Sequence, residues 1–311
     1  RQLFSNVRLI IVDEIHAFAG DDRGWHLLSV LSRITRFADR EIQRIGLSAT
    51  VGNPEAICKW LTDGCQGERK TYFPPQDPAT TASVTVDYVG SEDNAAKVIS
   101  SLHRGQKRLV FVDSRSGVEE LGSRLQNAHI QTFLTHSSLS EEQRLDAEKA
   151  FSAGSDCVIV ATSVLELGVD VGDLDKVVQI NSPGTVAGFL QRMGRTGRRT
   201  GTERNCLFLA TDEWSLLTAA GLVELWQQGF VESVTPPPLP LHILAQQVMA
   251  LALQQRGITQ ESVRQWLNRV PAFSELAPER MELLVSWMVK NDLLWDDNGR
   301  LWFGKKGESR Y

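Results

Sequence analysis

The sequence predicts an α/β protein of two lobes, each built on a parallel sheet, with a small helical domain behind them. Three observations carry that prediction. Short apolar runs end in acidic or small polar residues, as buried strands of a parallel sheet do when function sits at their C-terminal ends. Strand-like and helix-like segments alternate through the middle of the chain, the pattern of a doubly wound domain. Proline-rich stretches at 74–82 and 236–240 break the chain twice. The domains are therefore placed at residues 1–80, 81–233 and 234–311, two or three being what a chain of 311 residues accommodates.

In the first lobe, Leu9-Ile10-Ile11-Val12 runs into Asp13-Glu14, and Ile45-Gly46-Leu47 runs into Ser48-Ala49-Thr50. Both read as buried strands, and helical spacing of apolar residues over 25–37 predicts a helix between them. In the second block the pattern predicts strands over 108–112, 157–161, 176–180 and 206–209, and helices over 118–125 and 141–151. Behind the second break, helical patterns occupy about 241–255, 260–269 and 278–291. The stretch 293–303 reads as a β-hairpin, because Asn298-Gly299 between apolar-rich runs is a strong turn signal. Three helices and a hairpin suggest a winged-helix domain. Its tryptophans, Trp266, Trp287, Trp295 and Trp302, are expected mostly in the core, and Leu283, Leu284, Val285 and Met288 favour burial of Trp287. An exposed one would be placed to stack on a base.

Composition narrows the class. No run approaches the ~20 apolar residues needed to span a bilayer. Arg1-Gln2-Leu3-Phe4-Ser5 has neither a signal-peptide pattern nor an initiator Met, so the start reads as a cut. Cys58, Cys65, Cys157 and Cys206 form no C-x2-C pair, which argues against a zinc site and for reduced thiols in a cytoplasmic protein. The net charge of −5 does not announce a nucleic-acid binder, but a motor holds its strand in a local channel, where local sign matters more than the sum. The most basic stretch is Arg192, Arg195, Arg198, Arg199 and Arg204, opposed only by Glu203.

Several motifs carry chemistry. Asp13 and Glu14 stand at the tip of an apolar strand, where an Asp can hold Mg²⁺ and the next Glu can orient and activate a water for phosphoryl transfer. Ser48 and Thr50, one strand on, are placed to bond to His16 or to the acidic pair. At 161–170 a strand ends in hydroxyl residues and Gly168 permits a tight turn. There Thr162 and nearby amides can bind a strand phosphate, and Asp170 can reach the ribose of ATP. Gln191-Arg192-Met193-Gly194-Arg195-Thr196-Gly197-Arg198 is the strongest signal. Its arginines recur every third residue, which on a helix sets them near one face, and guanidinium groups stabilise charge on a transferred phosphoryl group.

In that order the motifs resemble those of superfamily 2 helicases. Asp13-Glu14-Ile15-His16 is similar to motif II and Ser48-Ala49-Thr50 to motif III. Val110-Phe111-Val112-Asp113-Ser114-Arg115 is similar to motif IV, residues 162–170 to motif V, and residues 191–198 to motif VI. The match runs to about residue 210. A narrower resemblance is to the large helicase-related (Lhr) family, carried by Ala17-Phe18-Ala19-Gly20-Asp21-Asp22-Arg23-Gly24, by Thr135-His136-Ser137-Ser138-Leu139-Ser140, by the appended winged helix and by the ending Gly304-Lys305-Lys306-Gly307-Glu308.

The resemblance implies two RecA-like lobes, the first truncated at its N-terminus, followed by a winged-helix domain, with ATP and Mg²⁺ as cofactors. It implies tracking on single-stranded DNA from 3′ to 5′, unwinding of DNA or RNA–DNA duplexes, and a link to DNA repair. Asp13, Glu14, His16, Arg195 and Arg198 would be catalytic, with Mg²⁺ held through water by Asp13 and Glu14. Ser48, Thr50, Gly168, Asp170, Gln191 and Arg192 would bind or couple ATP. Ser114, Arg115, His136, Ser137 and Thr162 would hold the strand, mostly through phosphates, so that sequence preference is weak.

One part of the pattern is missing. Such a motor needs a G-x4-G-K-S/T loop ahead of motif II, and the twelve residues before Asp13 hold none. Gly299-Arg300-Leu301-Trp302-Phe303-Gly304-Lys305 matches in part, but Lys306 stands where the hydroxyl should be, and the stretch falls in the expected hairpin. The expectation is therefore a truncated first lobe and no ATP turnover by this chain alone. Two other readings stay open: an ATP-driven remodeller that moves without unwinding, and a non-catalytic nucleic-acid-binding module.

Overall fold

The computed structural model describes residues 4–38, 40–73, 82–136, 149, 154–162, 174–197 and 201–310. The chain divides into two compact units, one made of Arg1–Tyr72 together with Ser233–Tyr311, the other of Phe73–Glu232.

The first unit opens with β1 (Leu9–Val12), a short helix α1 (Ile15–Ala19), the long helix α2 (Asp22–Ala38), β2 (Gln43–Gly46) and α3 (Pro54–Thr62). The two strands pair in parallel, from Leu9 against Gln43 to Val12 against Gly46. α2 covers the predicted 25–37 segment and turns Trp25, Leu28 and Leu31 inward.

The second unit follows as β3 (Ala82–Tyr88), α4 (Glu92–Ser101), β4 (Lys107–Phe111), α5 (Arg115–Asn127), β5 (Gln131–Thr135), β6 (Cys157–Ala161), β7 (Lys176–Ile180), α6 (Val186–Met193), β8 (Arg204–Ala210) and α7 (Glu213–Gln227). Its six strands form one parallel sheet in the order β3-β8-β7-β4-β6-β5. Side chains alternate across that sheet, so it has two cores. Leu109, Phe111, Ile159 and Phe208 pack on one face, and Val110, Val158, Val160 and Leu209 on the other. Strands buried on both faces read as continuous apolar runs, which is why the central ones were visible in the sequence. The expected helix over 141–151 lies outside the described residues.

The chain then returns to the first unit as α8 (Leu241–Gln255), α9 (Gln260–Leu267), α10 (Pro271–Ser274), α11 (Pro278–Lys290), β9 (Leu294–Asp297), β10 (Arg300–Phe303) and α12 (Lys305–Arg310). β9 and β10 form the expected hairpin, turned by Asn298 at φ 52° and Gly299 at φ 84°. Ile258 and Leu301 exchange backbone bonds across it, at 3.0 and 2.8 Å. Gly304 sits against the chain here, and a Cβ on it would come within 2.3 Å of the Asp292 carbonyl oxygen. The partial phosphate-loop match thus runs from the hairpin turn through β10 to Lys305 at the start of α12, with Gly304 packed against Asp292.

The two segments of the first unit share one core. Val12, Ile15, Leu28 and Trp60 belong to the same buried cluster as Leu244, Val248, Met288 and Leu301. One packing expectation fails. Trp287 is 55% exposed and Leu283 73% exposed, because α11 faces the core through Met281, Val285 and Met288 instead. Trp295 is exposed too, whereas Trp266 and Trp302 are half-buried. Among the described residues no helix is long and apolar enough to cross a membrane. All four cysteines are free thiols, and burial pushes that of Cys206 up to about 12.

Candidate nucleotide and nucleic-acid site

Parallel pairing brings the tips of β1 and β2 together. Leu47 N–H donates to the Val12 carbonyl at 2.8 Å, and Ile15 N–H donates to the Leu47 carbonyl at 2.9 Å. Between those two bonds the chain must turn sharply, and Glu14 adopts the left-handed conformation, φ 49° and ψ 43°, that a residue with a Cβ seldom enters. The Asp13 carboxylate accepts from the Glu14 N–H at 2.8 Å and holds that turn. α1 starts at once, placing His16 with Nδ1 3.1 Å from Ser48 Oγ and Nε2 3.6 Å from Glu14 Oε2. The Ser48 link expected from sequence is therefore formed. Thr50 lies exposed on the same loop, with no hydrogen bond to the acidic pair.

Burial pushes the His16 imidazole below its ordinary range, against the opposing pull of Glu14 and Asp13. The neutral ring is thus hydrogen-bonded to the Ser48 hydroxyl of the second strand tip, with the Glu14 carboxylate 3.6 Å from its other nitrogen. Among the described residues no three His, Cys, Asp or Glu side chains group to cage an ion. Two adjacent carboxylates at a strand tip suit Mg²⁺, which takes one or two carboxylates and fills its remaining positions with water and phosphate oxygens.

In the second unit, Ser114 is the N-cap of α5, its Oγ accepting from Gly117 N–H at 3.0 Å. A Cβ on Gly117 would meet Val112 at 2.7 Å, so the turn at the end of β4 admits only glycine there without a shift. Arg115 is exposed at the start of the helix. His136, expected to hold a strand, is buried with Nε2 2.8 Å from Glu119 Oε1. Thr162 is half-buried beyond β6, its N–H directed at the Thr135 carbonyl at 3.4 Å.

The arginine motif departs from the expected geometry. α6 ends at Met193 with Gly194 as its C-cap, so Arg192 and Arg195 do not share a helix face. Arg192 lies in the last helical turn and Arg195 outside it. Gly197 takes φ +69°, and a Cβ there would lie 2.7 Å from Arg204 N, so this glycine makes room for the start of β8. Arg192 is buried, donates to the Gln179 side-chain oxygen, lies 5.0 Å from the Phe111 ring centre and comes within 3.9 Å of Asp113. Burial pushes the Asp113 carboxyl up, against the pull of Arg192. Arg195 is buried and Gln191 half-buried, and Arg195 N–H donates to the Arg192 carbonyl at 3.1 Å. Ser137, Gly168, Asp170 and Arg198 lie outside the described residues.

Three supporting residues were missed in the sequence. Gln179 holds Arg192, and its only signal was an amide inside the apolar run of β7. Glu119 holds His136. Glu232 accepts from the N–H groups of Val186 and Ala187 at 2.7 and 3.0 Å, at the start of α6. Burial raises its carboxyl, but those amides outweigh burial and keep it below the ordinary range.

Comparison with known proteins places these features. Residues 1–57 match the model of the DEAD/DEAH box helicases, and residues 92–200 match the helicase conserved C-terminal domain. The chain is 31% identical over 328 residues to the Lhr helicase/uracil glycosylase of Escherichia coli, covering 87% of this chain and 21% of that protein. It is 28% identical over 338 residues to the ATP-dependent helicase Lhr-Core of Methanothermobacter thermautotrophicus, covering 99% of this chain and 39% of that protein. It therefore spans about a fifth to two fifths of the curated relatives it matches. The solved structure of Mycobacterium smegmatis helicase Lhr bound to ssDNA and AMP-PNP superposes with a TM-score of 0.84 at 30% identity, over 98% of this chain and 42% of that one.

Proposed function

From the premise that the chain belongs to the superfamily 2 helicases and is Lhr-like, we propose that it forms part of an ATP-driven motor that tracks on single-stranded DNA from 3′ to 5′ and separates DNA or RNA–DNA duplexes. DNA repair is its proposed setting. The observation that carries the reading is the acidic tip, where Asp13 fixes the backbone of Glu14 and His16, beside Glu14, is hydrogen-bonded to Ser48.

In this reading Asp13 holds Mg²⁺ through water, and Glu14 orients the attacking water and takes its proton. When bound, the ion neutralises charge on the phosphate oxygens. His16 and Ser48 report the state of that carboxylate to the second strand tip, with Thr50, Gly168, Asp170 and Gln191 assigned to ATP coupling. Arg195 and Arg198 supply guanidinium groups to the phosphoryl group. Arg192, engaged with Gln179 and Phe111, positions the segment that carries them. Ser114, Arg115, His136, Ser137 and Thr162 are assigned to strand phosphates. The functional divisions proposed are 1–80 and 81–233 as RecA-like lobes and 234–311 as a winged-helix domain.

The test is DNA-stimulated ATP hydrolysis, paired with strand displacement on tailed duplexes of each polarity. In the full-length protein Glu14→Gln should cut turnover by at least ~10²-fold, and wild-type turnover surviving that change would sink the reading. Turnover without displacement would mark a remodeller. The 311-residue chain alone should show no turnover, since none of its residues matches a complete G-x4-G-K-S/T loop.

A further inference from the structure

The first unit contains a cavity of about 400 Å³ between the end of α2 and the end of α9, its wall including Arg36, Arg40, Glu41, Trp266 and Arg269. None of these residues belongs to a helicase motif. β1 and β2 are parallel, Asp13 follows the C-terminal end of β1, and Glu41 precedes the N-terminal end of β2. Cavity and acidic tip therefore stand at opposite ends of the strand pair.

The charge around this cavity is unbalanced. Arg269 Nη1 lies 2.8 Å from Glu41 Oε1, and Glu41 is the one carboxylate on the wall among the described residues. Arg36 is held in place, donating through Nη1 to the Gln265 carbonyl at 3.0 Å with its guanidinium carbon 4.4 Å from the centre of the Trp266 ring. Arg40 is exposed and has no ion pair or hydrogen bond among the described residues. Close to Arg269 and Glu41 stands Arg44, 7% exposed. Its Nη1 donates to the Leu61 carbonyl at 2.9 Å, while its Nε and Nη2 have no hydrogen-bond partner among the described residues. Three guanidinium groups thus line the cavity with a fourth, that of Arg44, behind Arg269 and Glu41, against a single carboxylate among the described residues, in a chain whose net charge is −5. Such a concentration in a concave, partly desolvated place draws an anion. Planar arginine forks match phosphate oxygens in geometry as well as charge. The volume exceeds what inorganic phosphate fills and falls in the range of small-molecule sites.

We propose that this cavity is a second ligand site, which binds a phosphate ester of about nucleotide size. That ester is supplied by a free mononucleotide or by one nucleotide of a strand, and the inference does not rest on the motor reading. Two titrations of the intact chain distinguish the sources: calorimetry with adenosine monophosphate, using inorganic phosphate as the size control, and fluorescence anisotropy with a labelled oligothymidylate. Arg40→Glu, at an exposed position, should weaken binding by about tenfold or more with an unchanged melting temperature. Asn268→Asp, on the same wall, should weaken it in the same direction and serves if Arg40→Glu unfolds. Mononucleotide binding lost in these variants assigns the free nucleotide, and loss confined to the oligomer assigns the strand. No binding by either probe, or binding equal in wild type and both variants, overturns the proposal.

Discussion

The two units differ in how they use the chain. Phe73–Glu232 is contiguous, and each of its described helices begins on a side-chain cap: Ser91 for α4, Ser114 for α5, Thr185 for α6 and Asp212 for α7. The first unit joins segments from both sides of the second, and α1, α3, α8, α10 and α11 begin with no such cap, whereas Asp21 before α2 and Thr259 before α9 supply one. Asn53 shows the difference at one residue. It precedes Pro54 where a cap belongs, yet its side chain instead accepts from Val234 N–H at 2.8 Å and donates to the Val234 carbonyl at 2.9 Å. Side-chain caps start α4, α5, α6 and α7 of one unit, and only some of the helices of the other.

The strongest way to break this comparison is a cavity in each core. Leu244 and Phe208 are both fully buried. Phe208→Ala should cost ~3–5 kcal/mol and Leu244→Ala ~2–5 kcal/mol. Hydrogen exchange should show Phe208→Ala loosening amides within 82–210, whereas Leu244→Ala loosens 9–61 together with 241–301. Loss confined to the C-terminal segment would mean the first unit has no common core. A smaller effect sharpens the point. Asn53→Ala should cost about 1–2 kcal/mol in chemical denaturation, and Asn53→Asp, which keeps the acceptor and loses the donor, should fall between. An Asn53→Ala protein as stable as wild type would reduce that stitch to decoration. Smallest is a pH effect. The folded imidazole of His16 titrates below its ordinary 6.5, so the unfolded chain takes up the proton first as pH falls. Stability is complete above that value and declines below it. His16→Asn should flatten this part of a melting-temperature series, and an unaltered slope would show that His16 does not titrate as its burial requires.

What was legible in the sequence follows the same division. β4, β6 and β7 sit in the middle of the sheet and stood out as apolar runs, and α8 keeps its expected bounds of 241–255. β3 and β5 lie at the two edges, where polar residues interrupt the pattern, and neither was found. α7 was missed because apolar residues occupy its solvent side too, Trp214 at 76% and Leu217 at 64% exposure. Trp287 misled for the opposite reason, since apolar neighbours at helical spacing do not say which side of α11 meets the core. In the site, the His16–Ser48 link was readable because both residues follow parallel strands directly. The support of Arg192 was not, because Gln179 reaches it from a neighbouring strand, and the break at Gly194 and Gly197 looked like helix until the approach of Arg204 showed what those glycines accommodate.

The shared core of the first unit fixes an order of events during synthesis. Val12 and Trp60 leave the ribosome long before Leu244 and Leu301, which complete the cluster they begin. At the usual elongation rate that interval is on the order of tens of seconds. The contiguous unit can finish folding within it, before Leu244 and Leu301 are available to the cluster that holds Val12 and Trp60. Asp13 and Glu14 are thus made well before the segment that completes the core beneath them, and a chain stalled before Leu301 would present a folded middle beside an unfinished first unit.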